Sequence, residues 1–256
     1  VGDGPVHLTI DSGVATITLD SPHNRNALSR ALVAGLDEAL DRAGDPSVRV
    51  IVLTHTPPAF CAGADLKERS GGTSGSHPGS NPLVSAMRRL MEGPQPTIAA
   101  VKGPVRAGGI GLMASCDLVV VAPSVDFAFT EVRIGVAPAM ISVPILRRVS
   151  PAHLAAPFLT GEVFDAEHAR QIGLVSHVAD DVDATVTELC RGILSGAPGA
   201  VAATKRLLHE VPALGLDEAF DQMQRLSEEL FQGPEAAEGM AAFVEKRPPS
   251  WRPAGA

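Results

Sequence analysis

Val101-Lys-Gly-Pro-Val-Arg-Ala-Gly-Gly-Ile-Gly-Leu-Met-Ala-Ser-Cys-Asp117 is the stretch on which the reading of this chain turns. It runs from a short approach through a glycine-rich turn into a helix of small residues. Gly108, Gly109 and Gly111 fall where the turn passes into the first helical turn. Glycine tolerates positive φ and lets a ligand come close to the backbone. The first N–H groups of a helix have no partners inside it, and that end is electropositive. Such a place suits a negative charge. Tight packing of the helix against a neighbour explains the same glycines equally well, so the stretch alone leaves both readings open. The spacing does not fit a Gly-x-Gly-x-x-Gly dinucleotide fingerprint, and no Gly-Lys-Ser/Thr follows for a nucleoside triphosphate.

Upstream, Val14-Ala-Thr-Ile-Thr-Leu19 alternates apolar and polar residues as a half-buried strand does. Ser29 then predicts an N-cap for a helix whose Leu32, Leu36 and Leu40 recur at spacing four. Val48–Leu53 is a nearly continuous apolar run, which predicts a strand buried on both faces of a parallel sheet. Leu83–Met91 reads as a helix and Thr97–Val101 as the strand leading into the glycine turn. Between them, residues 67–82 are rich in Gly, Ser and Pro. They read equally as a tolerated insertion or as a flexible wall over a substrate pocket.

Downstream, Asp117–Ala122 and Asp126–Phe129 predict short strands, and Pro151–Leu159 a helix. Asp165 and Gly173 form a start-and-stop pair for another helix, and Val175–Val178 a last strand. From Val182 to Phe243 only helical patterns remain. The expected organisation is an α/β core over residues 1–195 and a helical region over 196–256. On that last part, Leu216, Phe220, Met223, Leu226 and Leu230 recur at spacing three to four and predict a buried stripe.

Composition narrows the function classes. A chain of 256 residues, 45% apolar and 20% charged, suits a well-packed globular protein. A net charge of −8 argues against a general nucleic-acid surface. No apolar run approaches the roughly 18–20 residues of a membrane span. With no cleavable signal pattern at the N-terminus, the expected location is cytoplasmic. Cys61, Cys116 and Cys190 show neither metal-site nor disulfide spacing, so no metal is expected. They read as buried apolar residues, with no His beside Cys61 or Cys116 in sequence to activate a thiol. Tyrosine is absent, which excludes any mechanism built on a phenol donor from this chain.

Three patterns occur together: Phe60-Cys-Ala-Gly-Ala-Asp-Leu66, Gly108-Gly-Ile-Gly-Leu-Met-Ala-Ser-Cys-Asp117 and Phe129-Thr-Glu-Val-Arg-Ile-Gly135. With Asn26-Ala-Leu28 and Phe243-Val-Glu-Lys-Arg-Pro248, their order resembles the crotonase (enoyl-CoA hydratase/isomerase) superfamily from about Val6 to Pro248. The resemblance implies a crotonase-like ββα spiral core with a C-terminal helical trimerisation region, hence a homotrimer or homohexamer. It implies an acyl-CoA thioester substrate, with coenzyme A part of the substrate and no separate cofactor. It also implies that the N–H groups of Ala64 and Gly108 hold the thioester oxygen as an enolate forms. Losing one such donor typically costs about 3–4 kcal/mol of transition-state stabilisation. Arg25, Ala62, Asp65 and Leu66 resemble the family's adenine and pantetheine contacts, and Phe243 and Lys246 its C-terminal contacts near the nucleotide. Arg25 as a surface turn residue and Lys246 as a solvated helix-end charge remain open beside those roles.

One departure stands out. The hydratases with two catalytic glutamates would place the second at Glu131 and the first at Gly111, where this chain has no side chain. The resemblance therefore leaves three functions: a 2-enoyl-CoA hydratase with Glu131 alone as acid and base, a Δ3-Δ2 enoyl-CoA isomerase with the same single glutamate, or an acyl-CoA-binding protein without chemistry. Hydratase is the leading expectation. Dienoyl-CoA isomerases are set aside, because they carry carboxylates matching Gly111 and Ala139, both missing here.

Overall fold

A computed structural model of the chain describes residues 4–70 and 81–252. Most of the 67–82 segment thus lies outside the described residues, and with it the choice between insertion and pocket wall.

The first strands, β1 (Val6–Asp11) and β2 (Val14–Leu19), form an antiparallel hairpin in register Val6 to Leu19. The alternation read in Val14–Leu19 is realised: Ala15, Ile17 and Leu19 are buried and their neighbours half-buried. Nothing in the sequence marked β1, because this edge strand has one paired side and no buried residue. Ser29 caps α1 (Arg30–Ala43) by accepting from the Leu32 N–H, and Leu32, Leu36 and Leu40 all face inward.

The main sheet then grows by parallel addition. β3 (Val50–His55) pairs with β2, β4 (Thr97–Val101) with β3, β6 (Leu118–Val121) with β4, and β9 (His177–Val178) with β6. The six-stranded order is β1-β2-β3-β4-β6-β9. Both faces are covered, which explains the unbroken apolar run of β3. One face packs Ile51, Leu53, Ala99 and Val119 against α1 and α3 (Pro82–Glu92). The other packs Val50, Val52, Ile98 and Val120 against Val182, Val186, Cys190 and Leu194 of α8 (Val182–Ser195).

A second, small sheet holds β5 (Val105–Arg106), β7 (Asp126–Ala128) and β8 (Val163–Asp165) in that order. α4 (Gly108–Ala114) leaves β5, and a 3-10 turn, Thr130–Ile134, follows β7. α5 (Ala139–Leu146) packs on α4, while α6 (Pro151–Thr160) packs on the 3-10 turn and α7 (Ala166–Gln171) on the small sheet, Asp165 capping α7 through the His168 N–H. α5 escaped the sequence patterns because Pro144 stands inside it and Pro138 before it.

The chain closes with α9 (Pro198–Glu210), α10 (Leu216–Gln232) and α11 (Pro234–Glu245). Lys205, 4% exposed, fastens α9 to the core. Its Nζ lies 2.9 Å from Asp117 and donates to the carbonyls of Leu90 (2.6 Å) and Gln95 (2.9 Å). Asp117 also accepts from the Thr97 N–H and hydroxyl, which makes it a structural hydrogen-bonding residue. Glu235 of α11 accepts from the Gly199 and Ala200 N–H groups at the start of α9. The expected burial of the α10 stripe needs correction. Leu216 and Phe220 are 73% and 70% exposed, Met223 and Leu226 are only half-buried, and no α10 residue is buried within the chain. Spacing shows that a helix has an apolar face, but not that the same chain supplies its cover.

Candidate active site

Parallel neighbouring segments bring the candidate residues to one edge. Leu28 is bridged to Ala64, Cys61 to Val105, and Val105–Arg106 runs parallel to Phe127–Ala128. The Leu28 N–H donates to the Gly63 carbonyl, Arg106 to Cys61, and Ala107 to Ala128. Because these segments run parallel, the residues just beyond them emerge side by side: Ala64, Gly108 and the Thr130-Glu131 pair. Sites in α/β proteins commonly form at such carboxyl ends of strands. Cys61 and Ala64, far from Gly108 in sequence, are thus its neighbours in the fold, and Glu131 follows three residues after Ala128, which accepts from the Ala107 N–H.

The main-chain donors are open. Among the described residues, neither the Ala64 nor the Gly108 N–H donates to a protein acceptor. Packing makes Gly109 obligatory, while at Gly108 a side chain would meet only the movable end of a leucine. A Cβ at Gly108 would stand 2.7 Å from the Leu28 Cδ1, and one at Gly109 would stand 2.6 Å from the Cys61 Cβ. Gly63, with φ +91°, turns the preceding loop so that the Ala64 N–H follows it. Both readings of the glycine stretch, close packing and an open donor, therefore hold together.

Glu131 lies in the 3-10 turn, half-buried, and its buried Oε2 has no hydrogen-bond partner. Burial raises its pKa above the ordinary 4.5, against a smaller lowering from its own backbone N–H. A carboxyl held above its ordinary range is better suited to acid–base work than a freely solvated one. Phe129, two residues before Glu131, meets Phe158 edge-on and stacks on Phe164.

Gly111 faces α5. A Cβ there would stand 2.5 Å from the Ile141 Cβ and 3.1 Å from its Cα. Contact with the Cα cannot be relieved by a rotamer change, so a side chain at 111 requires α5 to move. The missing first carboxylate therefore leaves no vacancy: Ile141 occupies its space. Nothing in the sequence signalled Ile141, which lies thirty residues away on an element the sequence did not reveal.

The proposed CoA contacts fall into two groups. Arg25, Ala62, Asp65 and Leu66 lie together: the Ala62 N–H donates to the Arg25 carbonyl at 3.0 Å, and Asn24 Nδ2 donates to Asp65 at 3.3 Å. Arg25 and Leu66 are exposed, Arg25 with φ +56°. Buried Asn26 holds this loop, accepting from the Ser21 N–H and donating to the Thr56 and Ala59 carbonyls. Phe243 and Lys246, by contrast, stand exposed at the end of α11. Neither makes a hydrogen bond or ion pair to the Arg25–Asp65 group among the described residues. Burial pushes the Cys61 and Cys116 thiols up to about 12, so neither is a thiolate nucleophile at neutral pH. No group of three or more His, Cys, Asp or Glu among the described residues is placed to hold a metal.

Two open clefts of about 410 and 420 Å³ lie elsewhere. One runs between Pro94–Pro96, Arg49 and the start of α9, and the other between α9 and α10. Neither borders Glu131.

Known proteins are similar to this chain in sequence and fold. A hydratase named enoyl-CoA hydratase EchA19, from Mycobacterium tuberculosis, is 34% identical over 246 residues, 92% of each chain. The crystal structure of an enoyl-CoA hydratase from Mycobacterium smegmatis superposes with a TM-score of 0.90 at 32% identity, covering 97% of this chain and 99% of that one. One from Mycobacterium avium is 44% identical over 98% of this chain and 100% of that one, with a TM-score of 0.73. The higher identity thus goes with the lower superposition. The sequence pattern of the enoyl-CoA hydratase/isomerase family matches residues 9–254, and the chain belongs to that family, with the crotonase fold.

Proposed function

We propose that the protein hydrates a 2-enoyl-CoA thioester, with Glu131 as sole acid and base and the Ala64 and Gly108 N–H groups as oxyanion donors. The observation carrying this reading is the half-buried Glu131 carboxyl, its Oε2 unpartnered, in the turn that follows β7, whose partner β5 leads to Gly108. Glu131 takes a proton from water as the oxygen adds to the β-carbon. Negative charge passes to the thioester oxygen and is held by the two N–H groups. The same carboxyl returns the proton to the α-carbon, and the enolate collapses. Coenzyme A enters as part of the substrate, and no separate cofactor is required. Arg25, Ala62, Asp65 and Leu66 would line its path, with Phe243 and Lys246 near the nucleotide end. The crotonase core is assigned to residues 1–195 and the assembly region to 196–256. The exposed apolar residues of α10 are covered by other copies in a homotrimer or homohexamer.

A second reading is favoured by Ile141 filling the space beside Gly111. With one carboxylate and no room for another, a proton shuttle between carbons, as in a Δ3-Δ2 enoyl-CoA isomerase, needs nothing further. Crotonyl-CoA and a 3-enoyl-CoA separate the two: loss of conjugated absorbance reports hydration, and its appearance reports isomerisation. Silence with both, alongside measurable CoA-ester binding, would support an acyl-CoA-binding protein instead. Glu131→Gln should leave ester binding nearly unchanged and lower turnover by about 10²–10⁴-fold. Parental turnover by that variant would remove the mechanism.

A further inference from the structure

Ala107 carries φ +47° and ψ −120°, a backbone conformation open to glycine and costly to a residue with a Cβ. It immediately precedes Gly108. Its N–H donates to the Ala128 carbonyl at 3.1 Å, and its own carbonyl accepts from the Ile110 N–H at 2.9 Å. The backbone is therefore held at both ends in a shape its side chain disfavours.

The methyl group has a definite neighbour. A Cβ built on Gly63 would stand 3.0 Å from the Ala107 Cβ and 3.5 Å from the Arg106 carbonyl oxygen. The Ala107 methyl thus abuts the bare backbone of Gly63, the residue before Ala64. Beyond Arg106, the pairing of Cys61 with Val105 and the Arg106 N–H bond to Cys61 tie the two segments together. Arg106 fixes the far side, its guanidinium gripping the Asp126 carboxylate with two bonds of 3.0 Å. Past those ties, and beside the packing of Gly109 on Cys61, the methyl is a contact between the loop that carries the Ala64 N–H and the one that carries the Gly108 N–H.

We propose that Ala107 is a positioning residue: its methyl is a wedge that sets the separation of the two main-chain donors, and the left-handed backbone beneath it is retained for that purpose. This rests on the oxyanion reading of Ala64 and Gly108 and goes beyond it by assigning what holds them apart. A purely local structural role predicts the opposite of a wedge. Ala107→Gly would then relieve the backbone, stabilise the protein and leave turnover alone.

The test compares the parent, Ala107→Gly and Ala107→Ser, the last keeping a Cβ. Thermal midpoints, kcat and KM for crotonyl-CoA are measured, together with the absorbance shift of a bound conjugated aryl-enoyl-CoA, which reddens as its carbonyl is polarised. For a wedge, Ala107→Gly should melt no lower than the parent while kcat falls roughly tenfold with KM little changed, because a small misplacement of donors is felt in the transition state. Its red shift should shrink, and Ala107→Ser should restore both. A parental kcat and red shift in Ala107→Gly would overturn the wedge while leaving the oxyanion reading intact. A parent that binds the aryl ester with no red shift would instead remove the oxyanion reading, and the wedge with it.

Discussion

Helices α1 and α10 carry the same kind of sequence signal and meet opposite fates. In α1 the leucines at 32, 36 and 40 are all buried against the sheet. In α10 the apolar residues at 216, 220 and 230 remain exposed. Both stripes have helical periodicity, and α10 is the longer helix. The difference lies in what their neighbours offer. α1 is strapped between β2 and β3, a crossover that must lie on the sheet, whereas α10 follows the last strand and has no sheet face left to cover. An apolar face in the sequence therefore states a requirement for burial without naming the surface that meets it.

The join between these regions is the place to break the contrast hardest. Lys205→Met removes the cation from Asp117, a pair at 4% and 10% exposure. Breaking a buried pair from one side costs about 3–5 kcal/mol. Chemical denaturation should show that loss, with part of it recovered by adding Asp117→Asn. An undiminished midpoint in Lys205→Met would show that α9 is held by other contacts.

Within α1, Leu36→Ala should cost about 2–5 kcal/mol, the range for deleting a buried leucine side chain. The corresponding change in α10, Phe220→Ser, should leave helix content intact by circular dichroism but reduce the mass seen by light scattering toward one chain. A parent that already runs as one chain at micromolar concentration would show that the α10 face needs no partner, and the proposed assembly would fall.

The smallest effect concerns the site. Burial raises the Glu131 pKa, so the folded protein binds this proton more tightly than the unfolded chain does. Below the unfolded value near 4.5 the group is protonated in both states and adds no pH dependence. As pH rises from there through the raised folded value, the unfolded chain loses its proton first and stability declines. Glu131→Gln should therefore melt slightly above the parent at pH 7–8, with the gap closing below about pH 4. The acid limb of kcat/KM for the parent should lie above that of an ordinary glutamate. Equal melting of the two proteins across this range would show that Glu131 is not desolvated.

Much of the scaffold follows from local rules in the sequence. The alternation of Val14–Leu19, the cap at Ser29, the continuous run in β3 and the Asp165 cap with Gly173 as stop all rest on near neighbours, and each is found in place. Glu131 is a candidate through the family motif that surrounds it, and its role stays a proposal. β1 and α5 were not legible, since an exposed edge strand and a proline-containing helix have weak local signals.

By itself, then, the sequence determined the element types, the parallel core and the glycines that allow close approach, because propensity, capping and periodicity act within a few residues. Only tertiary structure decided that Leu28 presses on Gly108, that Ile141 fills the space beside Gly111, that Ala107 abuts Gly63, and that the chain itself leaves the α10 face uncovered. The first three are contacts across tens of residues, and all four are fixed by how strands pair and which face each helix meets. No local pattern encodes such a distance; it exists only once the chain has closed on itself.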